Sequence, residues 1–539
     1  MILLRALRLF ALAALATFAS QARAEWYEAS SDHFVIYADD SEKDIRRFAA
    51  NLEKYHLALE YLVRTRLQKP SPSNRVVIFV VGSGGELRDV FGKGSTNVAG
   101  FYVPRAGASR AFVQDIRNKN GYPDFSTIVL LHEYAHHFLI SSTRFAMPRW
   151  MSEGMAEFFA SAGFPKNGGV LIGRPAQHRV YEISQASRTD VWDLLREGSF
   201  DARRKRSSPG FYGRSWLLYH YLYFNPERRG QIDAYVREIL SGQSSLDAGE
   251  AAFGDLGKLD SELMSYKRRR SFNLLEVPSN LVSVGEISLR RLSEGEGKVM
   301  PLRMRSQRGV TRDQAEELVL DVRKVAARYP DDPGVLAALA EAEYDAGNDD
   351  AAIAAADRAI TLDPSRVNAY VQKGYALFRL AKDASDVDQD AAYERAMEPF
   401  TALNQIENDH PLPLIYYYRS YAQRGIAPPE NARLALENAA LLAPFDQSLW
   451  FDVALLQMQE GKIELARNAL QPLAFDPHGG SKGARMRELM DLLEKAPEGK
   501  PITASVLASA RQAAGGDLED TTGGDGAGGD GSDGSDGSG

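Results

Sequence analysis

The chain of 539 residues contains no cysteine. Disulfides, thiolate zinc sites, iron–sulfur clusters and a cysteine nucleophile are thereby excluded, and any metal must be held by His, Asp or Glu. A basic excess is also missing, since 64 Lys and Arg stand against 72 Asp and Glu. The electrostatic footprint of a nucleic-acid binder is therefore absent, and no nucleic-acid partner is expected. The acids are unevenly placed: seven of them lie from Asp517 onwards with no basic residue among them, so the folded body is close to neutral. No apolar run reaches the about 20 residues that a helix needs to cross a bilayer, so no transmembrane segment is expected in the mature chain. What remains is ordinary globular composition, 44% hydrophobic and 25% charged, with room for two to four domains at about 100–200 residues each.

Both ends read as segments outside the folded body. Arg5 and Arg8 precede an apolar run from Leu9 to Phe18 and then Ala22-Arg23-Ala24. A basic start, a short apolar core and a small-x-small site are the parts of a secretory signal peptide. Residues 1–24 are assigned to it, with the mature chain beginning at Glu25. An exported protein follows, and a cysteine-free one suits the bacterial periplasm or secretion from such a cell. Residues 515–539 are Gly, Asp and Ser and cannot bury a core, so a disordered tail is expected. A calcium-binding glycine–aspartate repeat would need a large apolar residue in each unit, and none occurs after Leu518.

Between the ends the pattern changes twice. Over 25–277, strands are expected at His33–Tyr37, Arg75–Val81, Ala99–Val103 and Arg110–Gln114. Helices are expected at Ser41–Gln68, Gly213–Phe224 and Gln231–Ser241. Strands first and helices after describe an α+β domain. Residues 278–312 look irregular and are read as a linker or small β subdomain. Further on, Pro330, Pro364, Pro411, Pro444 and Pro477 are separated by 34, 47, 33 and 33 residues. A 34-residue period of alanine-rich helices is that of tetratricopeptide helix pairs. About four such repeats are assigned to 313–480, with an insertion around Lys382 to Asp390, followed by terminal helices over 481–514. Repeats of this kind stack into a solenoid that binds protein partners or packs on its own domain.

Chemistry is concentrated in His132-Glu133-Tyr134-Ala135-His136, which fits H-E-x-x-H. On an α-helix, positions i and i+4 are about 40° apart, so both imidazoles project from one face towards a single ion. Glu133 is offset by about 100° and can reach a water on that ion. Pro123 to Thr127 offers caps, and Ile128-Val129-Leu130-Leu131 makes the helix a buried one. A catalytic zinc takes three protein ligands and keeps one position open. The segment Trp150-Met151-Ser152-Glu153-Gly154-Met155-Ala156-Glu157 offers Glu153 as the third. Glu157, one turn on, is the candidate partner for the second ring nitrogen of a metal-bound imidazole, His132. The alternative is two solvent-facing glutamates on an amphipathic helix.

H-E-x-x-H followed by W-x-x-E-G-x-A-E resembles the gluzincin metallopeptidases, especially the aminopeptidase N-like branch. It is closest to the bacterial peptidase MA-like proteins, which often carry tetratricopeptide repeats. The resemblance covers about 25–275. It implies a thermolysin-like zincin domain holding one Zn2+ per chain, with His132, His136 and Glu153 as ligands, Glu133 as general base and Glu157 supporting a ligand histidine. The aminopeptidase branch also has a tyrosine in a Y-x-x-G segment that opens a helix. Phe211-Tyr212-Gly213-Arg214-Ser215-Trp216 is similar, with Ser215 in place of the glycine, so the resemblance implies Tyr212 as oxyanion donor. The G-x-M-E-N stretch that holds a substrate's free amine in aminopeptidases is missing before His132, and exopeptidase activity is not supported.

Other features carry less. His137 points away from the H-E-x-x-H face and is expected to be structural, and His220 lies about two turns past Tyr212. Gly82-Ser83-Gly84-Gly85 lacks the Lys-Ser/Thr of a phosphate loop. Arg203–Arg206 and Lys267–Arg270 read as solvated basic runs. The strand at Arg110–Gln114 is expected to pair with a substrate backbone. The resulting expectation is an exported zinc metallopeptidase acting on a peptide or protein substrate, with a solenoid for protein partners. The rival is a non-enzymatic periplasmic scaffold or assembly factor whose zinc domain is structural or vestigial.

Overall fold

The computed structural model describes residues 25–91, 100–114, 116, 121–143, 145–175, 179–184, 189–196, 210–385, 387–476 and 478–514. The expected signal peptide at 1–24, the tail at 515–539 and the basic run at 203–206 lie outside these residues, as does the expected repeat proline at 477.

One six-stranded sheet carries the first half. Its strands are β1 (Tyr27–Ser30), β2 (Phe34–Ala38), β3 (Val76–Val80), β4 (Gly100–Val103), β5 (Arg110–Val113) and β8 (Ser288–Arg291), in the order β4-β5-β3-β2-β1-β8. The β2, β3 and β5 pairings are parallel and the outer ones antiparallel. A separate two-stranded ladder joins β6 (Val170–Ile172) to β7 (Leu275–Val277).

Period-two alternation sends the two side-chain sets of each strand to opposite cores. Phe34, Ile36, Ala38, Val76, Ile78 and Val80 face α1 (Glu42–Val63) and the helices beyond it. Val35, Tyr37, Phe79 and Phe112 face the other way, onto Leu87 and Val90 of α2 (Gly84–Phe91) and onto Met300 and Met304. Those methionines belong to α11 (Glu294–Gln307).

This arrangement corrects two expectations. Residues 278–312 are neither a linker nor a small β subdomain: β8 completes the main sheet beside β1, and α11 covers its second face. The segment reads as irregular because β8 is Ser-Leu-Arg-Arg at a solvated edge and α11 holds Gly295, Gly297 and Pro301. A capping box between Ser293 and Glu296 starts the helix nonetheless. The strand at Arg110 is not an edge either: β5 lies between β4 and β3, its backbone groups are taken on both sides, and the edge belongs to β4.

The domain continues with α3 (Phe125–Ser142), α4 (Arg149–Ala160), α5 (Val180–Ser184), α6 (Val191–Arg196), α7 (Phe211–Phe224), α8 (Gln231–Leu240), α9 (Ser245–Phe253) and α10 (Leu256–Tyr266). After α11 and α12 (Arg312–Arg328) come four helix pairs: α13 (Pro333–Asp345) with α14 (Asp349–Leu362), α15 (Val367–Lys382) with α16 (Gln389–Ile406), α17 (Pro411–Ala422) with α18 (Glu430–Leu442), and α19 (Gln447–Gln459) with α20 (Ile463–Ala474). The helices α21 (Gly480–Glu494) and α22 (Ala504–Ala514) follow. Small residues at the contacts, such as Ala340, Ala356, Ala359 and Ala369, let these helices approach closely. The result is an α-rich solenoid. No helix among the described residues is long and apolar enough to cross a membrane.

The solenoid is folded back onto the sheet domain. The first helices of its pairs, through Glu341, Gln372 and Arg419, share a cavity of about 980 Å³ with Tyr37, Arg75 and Arg110 of the sheet. Polar contacts close its rim. Glu407 accepts from the backbone and hydroxyl of Ser73 at 2.8 and 2.9 Å, and Asn74 donates to the Leu442 carbonyl at 2.8 Å. Asp446 accepts from the Ala106 amide at 2.9 Å.

Candidate metal centre

The centre is built on two buried helices. Asp124 caps α3, accepting from the Thr127 amide at 2.9 Å. The helix is then anchored from α1: the Tyr55 hydroxyl donates to the Leu131 carbonyl at 2.9 Å, and the Tyr134 hydroxyl pairs with His56 Nδ1 at 2.7 Å. These contacts fix the rotation of α3, and so the face from which His132 and His136 project.

The second helix, α4, is pressed against α7. A Cβ on Gly154 would stand 2.7 Å from the Ser215 carbonyl oxygen, so only glycine permits this approach. The glycine of the E-G pair is thus a packing requirement that sets the depth of Glu153 beside it.

Three donor atoms meet between the helices. His132 Nε2 and His136 Nε2 are 3.1 Å apart. Glu153 Oε2 lies 3.2 Å from His136 Nε2 and 3.3 Å from His132 Nε2. Donors bound at about 2.0–2.1 Å to one tetrahedral ion are spaced about 3.3–3.4 Å from one another. The triangle has that size, and the donor set of two imidazoles and a carboxylate suits zinc.

Electrostatics point the same way. Glu153 is fully buried, and its Oε1 accepts no hydrogen bond. Burial alone would raise its pKa, yet His136, His478 and His132 outweigh that and hold the carboxyl well below the usual range. Burial opposes a charge on His132, and the carboxylates of Glu157, Glu153 and Glu133 overcome it, pushing its pKa up to about 9. The same carboxylates that favour a proton on His132 also favour a cation in its place.

Around the three donors stand their supports. Glu157 Oε1 lies 3.4 Å from His132 Nδ1 and accepts from Arg179 Nε at 2.8 Å. The hydroxyl of Ser152 is 3.2 Å from His136 Nδ1. Arg179 also pairs with Glu182 at 2.5 Å, and Glu182 accepts from the Gly213 amide at 3.0 Å. Glu133 is half-buried, next to His132 on α3. Tyr212 is buried in the first turn of α7, with the Arg179 guanidinium 4.4 Å from its ring centre. It is joined to His132 through Arg179 and Glu157.

Two other histidines serve packing. His137 Nδ1 pairs with the Tyr102 hydroxyl at 2.6 Å, and burial pushes its pKa down to about 3. His220 is held by the Asn273 carbonyl at 3.0 Å and the Tyr266 hydroxyl at 2.9 Å, and burial lowers it to about 4.

Sequence reasoning passed over three residues at the centre. Arg179 lies in a segment without periodic pattern, and Ser152 is the residue before the proposed ligand. The third is His478, whose imidazole belongs to the same cluster: one donor atom from each of His132, His136, Glu153 and His478 lies within 4.8 Å of the others. The only signal for His478 was its type, since the chain has just 9 histidines.

The sequence profile of a family described as "Protein of unknown function (DUF1570)" matches residues 125–242. That span opens with α3 and includes His132, Glu133, His136, Glu153, Glu157 and Tyr212. No curated protein matches the chain. Among solved structures, a thermophilic TPR protein of Thermus thermophilus is similar at 16% identity and TM-score 0.29, over 34% of this chain and 91% of that one. MamA residues 41-end from Desulfovibrio magneticus RS-1 is similar at 16% identity and TM-score 0.25, over 38% of this chain and 98% of that one.

Proposed function

We propose that the chain is an exported zinc-dependent peptidase of the gluzincin kind, cutting peptide bonds within a peptide or protein substrate. The observation that carries this reading is the triangle of His132 Nε2, His136 Nε2 and Glu153 Oε2, with sides of 3.1–3.3 Å, beside a half-buried Glu133. His132, His136 and Glu153 would hold a zinc ion there, and it would supply Lewis acidity to a peptide carbonyl and to a water.

The remaining steps belong to side chains. Glu133 takes the water's proton and passes it to the leaving amine. Glu157, gripped by Arg179, holds the His132 ring in one tautomer and orientation. The Tyr212 hydroxyl donates to the oxyanion of the tetrahedral adduct. Lacking a G-x-M-E-N stretch for a free amine, the enzyme is read as an endopeptidase.

The rival reading, a periplasmic scaffold, assigns the work to the solenoid. One observation weighs against its simplest form: the face of the solenoid around Glu341, Gln372 and Arg419 is turned onto the chain's own sheet domain. A protein partner would dock on the outer helices or displace that domain.

The test pairs metal analysis with Glu133→Gln. Purified protein should hold about one zinc per chain, and the variant should keep it. Whatever basal peptide hydrolysis the chain shows should fall by roughly 10²–10⁴-fold on loss of the base. Full complementation of a deletion strain by Glu133→Gln would mean that hydrolysis is not the protein's task.

A further inference from the structure

A zinc ion with three protein ligands keeps a fourth position for water or substrate, whereas a structural zinc has four protein ligands and is closed. The fold brings a fourth donor to this centre. His478 stands on the turn between α20 and α21 of the solenoid. Its Nε2 lies 3.8 Å from Glu153 Oε1, the buried oxygen that accepts no hydrogen bond. Its ring is perpendicular to that of His136, at 85° and 5.5 Å between centres. The four residues together offer three imidazole nitrogens and one carboxylate oxygen within 4.8 Å of one another, the number and kind of donors that a four-coordinate zinc takes.

The position of His478 follows from how the solenoid is docked. Phe445, between α18 and α19, packs on His137 of the H-E-x-x-H helix, with ring centres 4.3 Å apart and planes tilted by 31°. Next to it, Asp446 caps α19 and also accepts from the Ala106 amide. His478 lies one helix pair further on. It also differs from the other donors in exposure: its side chain is 47% exposed, whereas those of His132, His136 and Glu153 are at most 10% exposed. Three donors are built into the domain, and the fourth is presented from outside.

Resting on the metal reading above, we infer that His478 is a fourth zinc ligand supplied by the solenoid, so that the docked solenoid closes the centre against water and substrate. Displacing the turn from the site opens the fourth position and gives Glu133 a water to act on. The solenoid is then a built-in inhibitor of its own domain, and a partner that pulls it away is an activator.

The experiment uses the full chain loaded with Co2+, whose visible spectrum reports the ligand set. With wild type, added azide should leave the spectrum unchanged, because no position is free. With His478→Ala, azide should shift it, and metal affinity in a chelator competition should fall about tenfold or more, the scale of loss found even for outer partners of a ligand. Because the chain has no cysteine, His478→Cys gives a second readout: a thiolate-to-cobalt charge-transfer band in the near ultraviolet. Two failures are distinct. A wild type that binds no metal overturns the metal reading and this inference with it. A wild type that binds Co2+ and responds to azide as His478→Ala does, with no charge-transfer band in His478→Cys, overturns the closed site alone.

Discussion

Arg179 Nε donates to Glu157 Oε1 at 2.8 Å, and the same oxygen faces His132 Nδ1 at 3.4 Å. The guanidinium thereby orients a carboxylate that orients the His132 imidazole. Glu157→Ala should weaken zinc binding by roughly 10–100-fold, the loss typical of an outer partner. Arg179→Ala should act in the same direction by freeing Glu157 to turn. Chelator competition measures both, and unchanged affinity in both variants would remove Glu157 from the centre.

Gly154 sets the spacing of α4 against α7, since a Cβ would meet the Ser215 carbonyl at 2.7 Å. Gly154→Ala should lower stability by about 1–3 kcal/mol, the usual cost of overpacking a fixed backbone contact. It should also move Glu153 and reduce metal affinity. Thermal unfolding with and without zinc separates the two effects, and a variant as stable as wild type would show that the helices can part freely.

In a His478→Ala background, where the fourth position is open, Tyr212→Phe should retain zinc and lower kcat by roughly 10²–10³-fold, the cost of one oxyanion donor. Substrate binding should change little. An unchanged kcat would leave Tyr212 as packing under Arg179.

Glu296 ties the sheet to the solenoid. It accepts from Arg290 on β8 at 2.7 and 3.2 Å and from Arg366 at the start of α15 at 2.8 Å. Burial alone would raise its pKa, but the two guanidinium groups outweigh it and hold the carboxyl down to about 2. Its contribution to stability is therefore complete above the unfolded pKa near 4.5 and is lost as pH falls towards 2. Glu296→Gln should cost roughly 2–3 kcal/mol at pH 7 and flatten the decline between pH 4.5 and 2. Urea unfolding at pH 7, 4 and 3 checks both points, and a variant that keeps the wild-type acid slope would place that slope in other carboxylates.

The linear pattern carried much of this far. Asp124 and the apolar run after it announce the start and burial of α3, and the i, i+4 spacing of His132 and His136 places both rings on one face. Proline spacing announces the helix pairs. These are local signals, because a helix period, a cap and a turn are each decided within a few residues. Strand β8 and helix α11 escaped it, because an edge strand of Ser-Leu-Arg-Arg and a helix holding two glycines and a proline gain their order from partners far away in the chain: Tyr27–Ser30 for one, the face around Tyr37 and Phe79 for the other.

The centre divides along the same line. His132, Glu133 and His136 could be grouped from spacing alone because one helix holds all three. That Glu153 stands 3.2 Å from His136 depends on Gly154 seating α4 against α7. That His478 reaches the same point depends on docking between the solenoid and the domain, through Asn74, Ala106 and Phe445. No period in the chain encodes such a meeting, because it arises from surfaces that become complementary only once both halves are folded.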